Sequence, residues 1–333
     1  MDRGPAWRGG TALLLIAAVL ILLLSFFLGR YPAPYFTTLS DITGNEMARN
    51  IVLNIRLPRV LTAFVLGVVL ASSGMVFQMV FRTPLVDSGF LGVSGGAAFG
   101  ASLAIVAWGG QVQMTQISAA LFAILGLGAS AFIAGRMRFG DWALRLVLSG
   151  IAVSALYASG TGIIKYLADP LRALPEITFW LLGGLWGVTW PDAVHVLVIS
   201  IPCLAVIHAM RWRLNLLSMQ DETTFSLASS PGRERLVLLL AAVLSTAVVV
   251  SKAGQIGWVG LIVPNIARRL VGADAQRALP FSLLLGGVFV LVCDNLSRTV
   301  LTGEIPLGIL TALAGAGIFI GLLVTGRMVR REQ

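Results

Sequence analysis

Asp294 and Arg298 stand four residues apart in a run that is otherwise mostly apolar. That interval places a carboxylate and a guanidinium on one helix face, where they can pair. The remaining acids fall in loops or near the ends of apolar runs. Charge pairing, rather than bond chemistry, is what these groups offer. His195 and His208 lie thirteen residues apart in a single apolar run. That is not a ligand spacing for one helix face, and both read as packed or interfacial. Cys203 and Cys293 sit alone in separate apolar runs. They give no disulfide framework and no metal-ligand spacing, and read as small buried hydrophobes. No metal and no cofactor is expected. Neither of the two lysines follows a glycine, so there is no GxxxxGK[ST] phosphate loop, and HExxH is also absent. The chain is not expected to be an enzyme.

The elements that must position these charges are long and apolar. The 333 residues are 57% hydrophobic and 12% charged, with a mean hydropathy of +0.90. Soluble domains carry about 25% charged residues. The deficit predicts an all-α polytopic membrane protein, one transmembrane domain over 1–333. The net charge of +9 does not predict nucleic-acid binding, because the basic residues sit singly or in pairs between apolar runs. A membrane-spanning helix needs about 20 apolar residues. Ten runs qualify: 11–29, 60–80, 90–108, 115–135, 143–167, 191–210, 234–251, 256–271, 280–297 and 306–326. The first follows Arg3 and Arg8 and resembles a signal peptide, but it is long enough to span and is read as a retained first helix. The eighth is short and expected to be broken by Pro264, and so to be surrounded by protein rather than lipid. Pro170, Pro175 and Pro191 bracket a short surface helix between the fifth and sixth spans.

With both termini cytoplasmic, 16 of the 24 lysines and arginines fall on the inner side. The positive-inside bias supports that orientation. The exceptions include Arg56, Arg59, Lys252 and Arg298. Small residues recur at four-residue spacing along Gly92–Gly96–Gly100, Gly150–Ser154–Ala158 and Gly308–Ala312–Ala316. Such faces let helices approach closely in lipid. They serve either packing within the chain or a dimer seam and pathway lining. The largest polar loop, around 214–232, carries Leu217, Glu222, Phe225 and Leu227. Its apolar residues on one side suit docking into a groove of another protein, against the plainer alternative of a solvated loop.

An ordered series of motifs resembles the FecCD-type permeases of ATP-binding cassette (ABC) importers for iron–siderophore complexes, haem and cobalamin. The series starts with RLPR at Arg56–Arg59, Ser73-Gly74 with Gln78, and RTPLVDSGFLGVSGG from Arg82. Phe179-Trp180-Leu181 with Gly183 and GQIGWVGLIVPNIARRLVG from Gly254 follow. Arg277 with Leu279-Pro280, then Asp294, Arg298 and EIPLGILTALAG from Glu304, complete it. Thr83 stands where the family has Asn, and Asn265 where His is common. The resemblance implies a ten-helix fold of the cobalamin/siderophore importer type in the cytoplasmic (inner) membrane. It implies pairing with a second or homologous permease, with two ATPase subunits beneath. A periplasmic or lipid-anchored binding protein would sit above. It further implies that Arg56, Arg59 and Arg298 lie on the outer surface and dock that binding protein. Leu217, Glu222, Phe225 and Leu227 would contact the ATPase. Gly150, Ser154, Ala158, Gly308 and Ala312 would line the pathway or the dimer seam. Iron–siderophore is the first expectation for cargo, with haem, cobalamin and molybdate or tungstate open. A secondary carrier is the competing class. It is weakened because no carboxylate sits near a span midpoint.

Overall fold

A computed structural model describes residues 6–31, 35–219 and 231–324. The chain is almost entirely helical. Helix α1 (Ala6–Phe27) runs into a two-residue strand β1 (Leu28–Gly29), which pairs antiparallel with β2 (Tyr35–Phe36). Short helices α2 (Leu39–Gly44) and α3 (Glu46–Asn50) follow, then a π-helical turn at Ile51–Arg56 that runs on into α4 (Leu57–Val80). A 3₁₀ turn, Ser88–Leu91, precedes α5 (Val93–Trp108), α6 (Val112–Arg136) and α7 (Trp142–Leu167). Then come α8 (Ala173–Leu182), α9 (Trp190–Ala209) and α10 (Arg211–Leu217). The described chain ends with α11 (Pro231–Ala253), α12 (Val259–Val271), α13 (Ala275–Thr299) and α14 (Leu307–Val324). Side chains start several of these helices by satisfying free N–H groups. Asp141 accepts from Leu144 N at 2.9 Å to begin α7. Thr189 and Asp192 form a reciprocal capping box at α9.

Each of the ten predicted apolar runs falls on a helix, and α8 is the expected short helix. Among the described residues, eight helices are long and apolar enough to cross a membrane. The runs 90–108 and 256–271 yield shorter helices of 16 and 13 residues. The physical reasons differ. Residues 88–91 are spent on the 3₁₀ turn, and Gly92 takes a left-handed φ of 79° that only glycine adopts freely. Before α12 the helix is broken at 254–258, where Gly254 and Trp258 have positive φ. The interruption therefore precedes Pro264, which lies inside a continuous α12. Proline removes the donor that Gly260 O would receive. Gln78 Nε2 replaces it, at 3.0 Å from Gly260 O and 3.0 Å from Leu261 O.

Helices α4, α11 and α13 form the centre, each with most of its apolar span buried. α4 packs against α9, α11, α12 and α13, while α5, α6 and α7 form a second group. Outward faces are apolar, as at Leu13, Ile16 and Leu20 of α1 and Val198 and Ile201 of α9. Exposed apolar area of this extent marks a lipid or partner surface. The chain is a multi-pass membrane protein.

At two levels α4 meets its neighbours backbone to backbone. A Cβ on Gly67 would strike the backbone of Gly286 and Gly287, and one on Gly74 would strike Gly260. Between them Ser73 Oγ donates to Ala242 O at 3.0 Å. Gly74→Leu should therefore destabilise the fold by about 3 kcal/mol, at the upper end for overpacking. Unfolding in mixed micelles should show a clear loss; wild-type stability would show that α12 can move aside.

Candidate functional site

The ionisable residues gather at the two ends of the bundle. At the end where α4 begins, Arg59 Nε lies 2.8 Å from Asp294 Oδ1. Its Nη1 lies 2.8 Å from both carboxylate oxygens of Glu304. Arg298 Nε stands 3.1 Å from Asp294 Oδ2, an ionic contact off the hydrogen-bond line. Asp294 is thus shared by two arginines, one on its own helix and one on α4. Arg298 also donates to Ser25 O at 2.8 Å, to Leu28 O at 3.0 Å and to Asn295 Oδ1. Arg56 donates to Thr37 Oγ1 at 2.7 Å and to Tyr31 O at 2.9 Å. These bonds tie α1, the β1–β2 turn, α4, α13 and the approach to α14 into one plate.

This corrects one expectation. Arg56, Arg59 and Arg298 are not surface cations: each is 6–8% exposed. Lone charges cannot be left at such burial, so internal carboxylates and carbonyls take up their donors. The i,i+4 pairing of Asp294 with Arg298 is as the spacing predicts. Glu304, at the start of the EIPLG motif, is the partner that sequence reasoning missed. Arg56, Arg59 and Arg298, with Arg30 in the β1–β2 turn, outnumber the two carboxylates and leave the plate positively charged. Arg56, bonded only to neutral oxygens, carries part of that excess.

The small-residue stripes divide. Gly150 abuts the backbone of Phe90 and Leu91. Ser154 donates to Gly89 O at 3.0 Å. Both pack within the chain, and only Ala158 of that trio is exposed. Gly308 is pressed against the carbonyls of Leu182 and Gln255, while Ala312 is half-buried. Gly315, which the sequence did not single out, seats Trp258. Trp258 meets Phe319 edge to face, with ring centroids 5.8 Å apart.

At the opposite end, Leu217 is fully buried in α10 and its carbonyl faces Arg82 Nε at 3.4 Å. Arg82 has a left-handed φ of 55° at the turn after α4. Glu222, Phe225 and Leu227 lie outside the described residues. Nearby, Arg268 donates to Gln78 Oε1 and to Asn265 Oδ1 at 2.8 Å, and Asn265 donates to Pro84 O at 3.0 Å. Asp87, in the turn between α4 and α5, accepts from Gly89 N at 2.8 Å. Its burial raises the carboxyl above the usual range, partly offset by the Gly89 and Phe90 amides.

A third cluster was not foreseen. Lys252, near the end of α11, lies 2.6 Å from Asp192 Oδ1 and donates to Gln116 Oε1. It joins α6, α9 and α11. Its one sequence signal is a lysine on the side where basic residues are scarce. Trp190 Nε1 donates to Leu53 O at 3.0 Å, so this cluster shares the end of the bundle that holds Arg59.

Among the described residues no hydrogen bond sets a nucleophile beside a base. What the geometry supplies is a helical bundle pinned by charge at one end and by a polar network at the other. The FecCD transport family profile matches residues 14–325. The molybdate import system permease protein MolB of Haemophilus influenzae is 35% identical, over 97% of this chain and 96% of its own. The "Probable iron chelatin transport system permease protein" of Helicobacter pylori (strain 26695) is 37% identical, over 84% of each chain. Among solved structures, a metal-chelate type ABC transporter in an inward-facing conformation superposes with a TM-score of 0.87. It is 34% identical and covers 96% of this chain and 99% of its own.

Asp294→Asn should cost about 3–5 kcal/mol, because it leaves buried Arg298 without a carboxylate and Arg59 with Glu304 alone. Glu304→Gln, at a more exposed site, should cost under about 1 kcal/mol. Unfolding of the two variants in mixed micelles compares them directly. Equal losses would show that Asp294 is not the keystone.

Proposed function

We propose, for a chain that belongs to the FecCD transport family, that it is the permease subunit of an ATP-driven importer of an iron–siderophore or similar metal chelate. The observation that carries this reading is a family match over residues 14–325 of a helical membrane chain that has no phosphate loop. Energy then has to come from a separate ATPase. Haem and cobalamin are served by the same mechanism. Molybdate or tungstate is the second reading, favoured by the 35% identity to MolB along 97% of the chain. An ion-coupled carrier is disfavoured: the buried carboxylate Asp294 is already held between two arginines near the end of its helix.

In this reading the chain makes ten passes of the cytoplasmic membrane, with α5 and α12 as short spans shielded by their neighbours. Both termini are cytoplasmic, in keeping with the inner excess of arginine. Two copies, or this chain and a homologous permease, enclose the pathway along α7 and α14, through exposed Ala158 and half-buried Ala312, while Gly150, Ser154 and Gly308 seat those helices against their own chain. Two ATPase subunits engage the 214–232 loop through Glu222, Phe225 and Leu227, while Leu217, fully buried, anchors α10 within the chain. Buried Leu217 and its contact with Arg82 give that loop a rigid path to the inner end of α4. A binding protein docks on the plate held by Arg56, Arg59 and Arg298, whose excess positive charge steers an acidic partner.

Reconstituted with its ATPase subunits, the protein should import chelate only with ATP and without need of an ion gradient. Glu222→Ala with Leu227→Ala should leave ATP hydrolysis running while import falls. Normal import by that double variant removes the coupling assignment, and import driven by an ion gradient alone removes the family mechanism. For docking, Arg56→Gln should weaken binding-protein association at low ionic strength, with less effect at high salt. An affinity unchanged at low salt rejects the plate as the docking face.

A further inference from the structure

Helix α7 lies along α5 and α6, and does not pack along α4 or α11. Its first residue, Trp142, reaches across to both. The indole stacks on Phe81, the residue that ends α4, with ring centroids 5.6 Å apart and planes 2° from parallel. The Arg235 guanidinium of α11 lies over the same indole, its Cζ 5.2 Å from the ring centroid. Phe81 and Arg235 are buried, and Trp142 is half-buried. Ring stacking adds to the apolar contact, and a cation over an aromatic face is held more strongly once withdrawn from water.

The two stems of the 214–232 loop, α10 and α11, meet at this stack. On the α10 side, Leu217 O faces Arg82 Nε at 3.4 Å, and Arg82 follows Phe81 directly. On the α11 side, Glu234 pairs with Arg213 of α10 at 3.1 Å, and the next residue is Arg235. The stems are thus tied to each other and, through Phe81 and Arg235, to Trp142. Trp142 in turn belongs to a first turn of α7 that the Asp141 cap holds in place. Close-packed side chains pass a displacement on, because no void absorbs it. We propose that Trp142 is a positioning residue for import: it sets the inner end of α7 according to where α10 and α11 stand. This role rests on the reading of the loop as the ATPase contact and of α7 as a pathway helix. It adds the route between them and the side chain that makes it.

The test needs no cargo. The full chain is purified with its ATPase subunits, with Cys203→Ala and Cys293→Ala, and carries Ser159→Cys on the exposed side of α7. Its labelling by N-ethylmaleimide is timed without nucleotide and with ATP and vanadate. ATP should change the labelling rate in this parent. Trp142→Ala should lose that change while its nucleotide-free rate stays near the parent's. A stack that only held the fold would alter the nucleotide-free rate as well. Trp142→Phe, which keeps a ring for both neighbours, should retain the response. Should Trp142→Ala fail to assemble, Phe81→Leu carries the test, since it removes the stacked ring and keeps apolar bulk; its response should also be lost. ATPase subunits that do not co-purify with the parent reject the permease reading, and the role of Trp142 falls with it. With the complex intact, a parent that does not respond to ATP overturns the role of Trp142 alone. So does a full response in Trp142→Ala or Phe81→Leu, or a Trp142→Phe that responds no better than Trp142→Ala.

Discussion

The backbone of α4 touches the backbones of α13 and α12 with no side chain between them. Within lipid, helices gain nothing by hiding apolar surface from one another, so close van der Waals contact has to hold them together. Gly67 opposite Gly286–Gly287 and Gly74 opposite Gly260 provide that contact. Other features inherit their positions from it. Arg59 reaches Asp294 because α4 and α13 are locked at Gly67 two turns away. Gln78 reaches the carbonyl freed by Pro264 because α12 is pressed onto Gly74 one turn away. Hydrogen bonds from Ser73 to Ala242 O and from Thr246 to Ser73 fix α11 against the same helix.

The two ends handle charge differently. Where α4 begins, guanidinium groups meet carboxylates, and strong mutual attraction offsets desolvation. Where α4 ends, Arg268 meets amide oxygens of Gln78 and Asn265 and the sulfur of Met75. Neutral partners satisfy donors without cancelling charge. The first arrangement locks several elements into one plate, and the second satisfies Arg268 with uncharged partners on α4 and α12. Arg82 and Trp258, both at positive φ, stand in the turn after α4 and at the break before α12. Backbone of this kind persists only where its surroundings enforce it.

Much of the architecture was legible in the chain. Runs of about 20 apolar residues admit few structures other than spanning helices, and each predicted run falls on a helix, eight of the helices being long enough to span. The pairing of Asp294 with Arg298 was legible because i and i+4 share a face whatever surrounds them. Arg59 with Asp294 was not, since 235 residues separate them. The stripes misled in part for a related reason. Four-residue spacing says that a face is smooth, but not what it meets, and Gly150 meets a turn of its own chain.

The sequence by itself determined the helices, their order, the family and the absence of an intrinsic ATPase loop, because these depend on local composition and short motifs. Only the tertiary structure decided that Arg56, Arg59 and Arg298 are buried, that the break lies before Pro264, and that Lys252, Asp192 and Gln116 converge. Burial and ion pairing depend on which helices are neighbours. That follows from three-dimensional packing of small residues, which no single helix encodes.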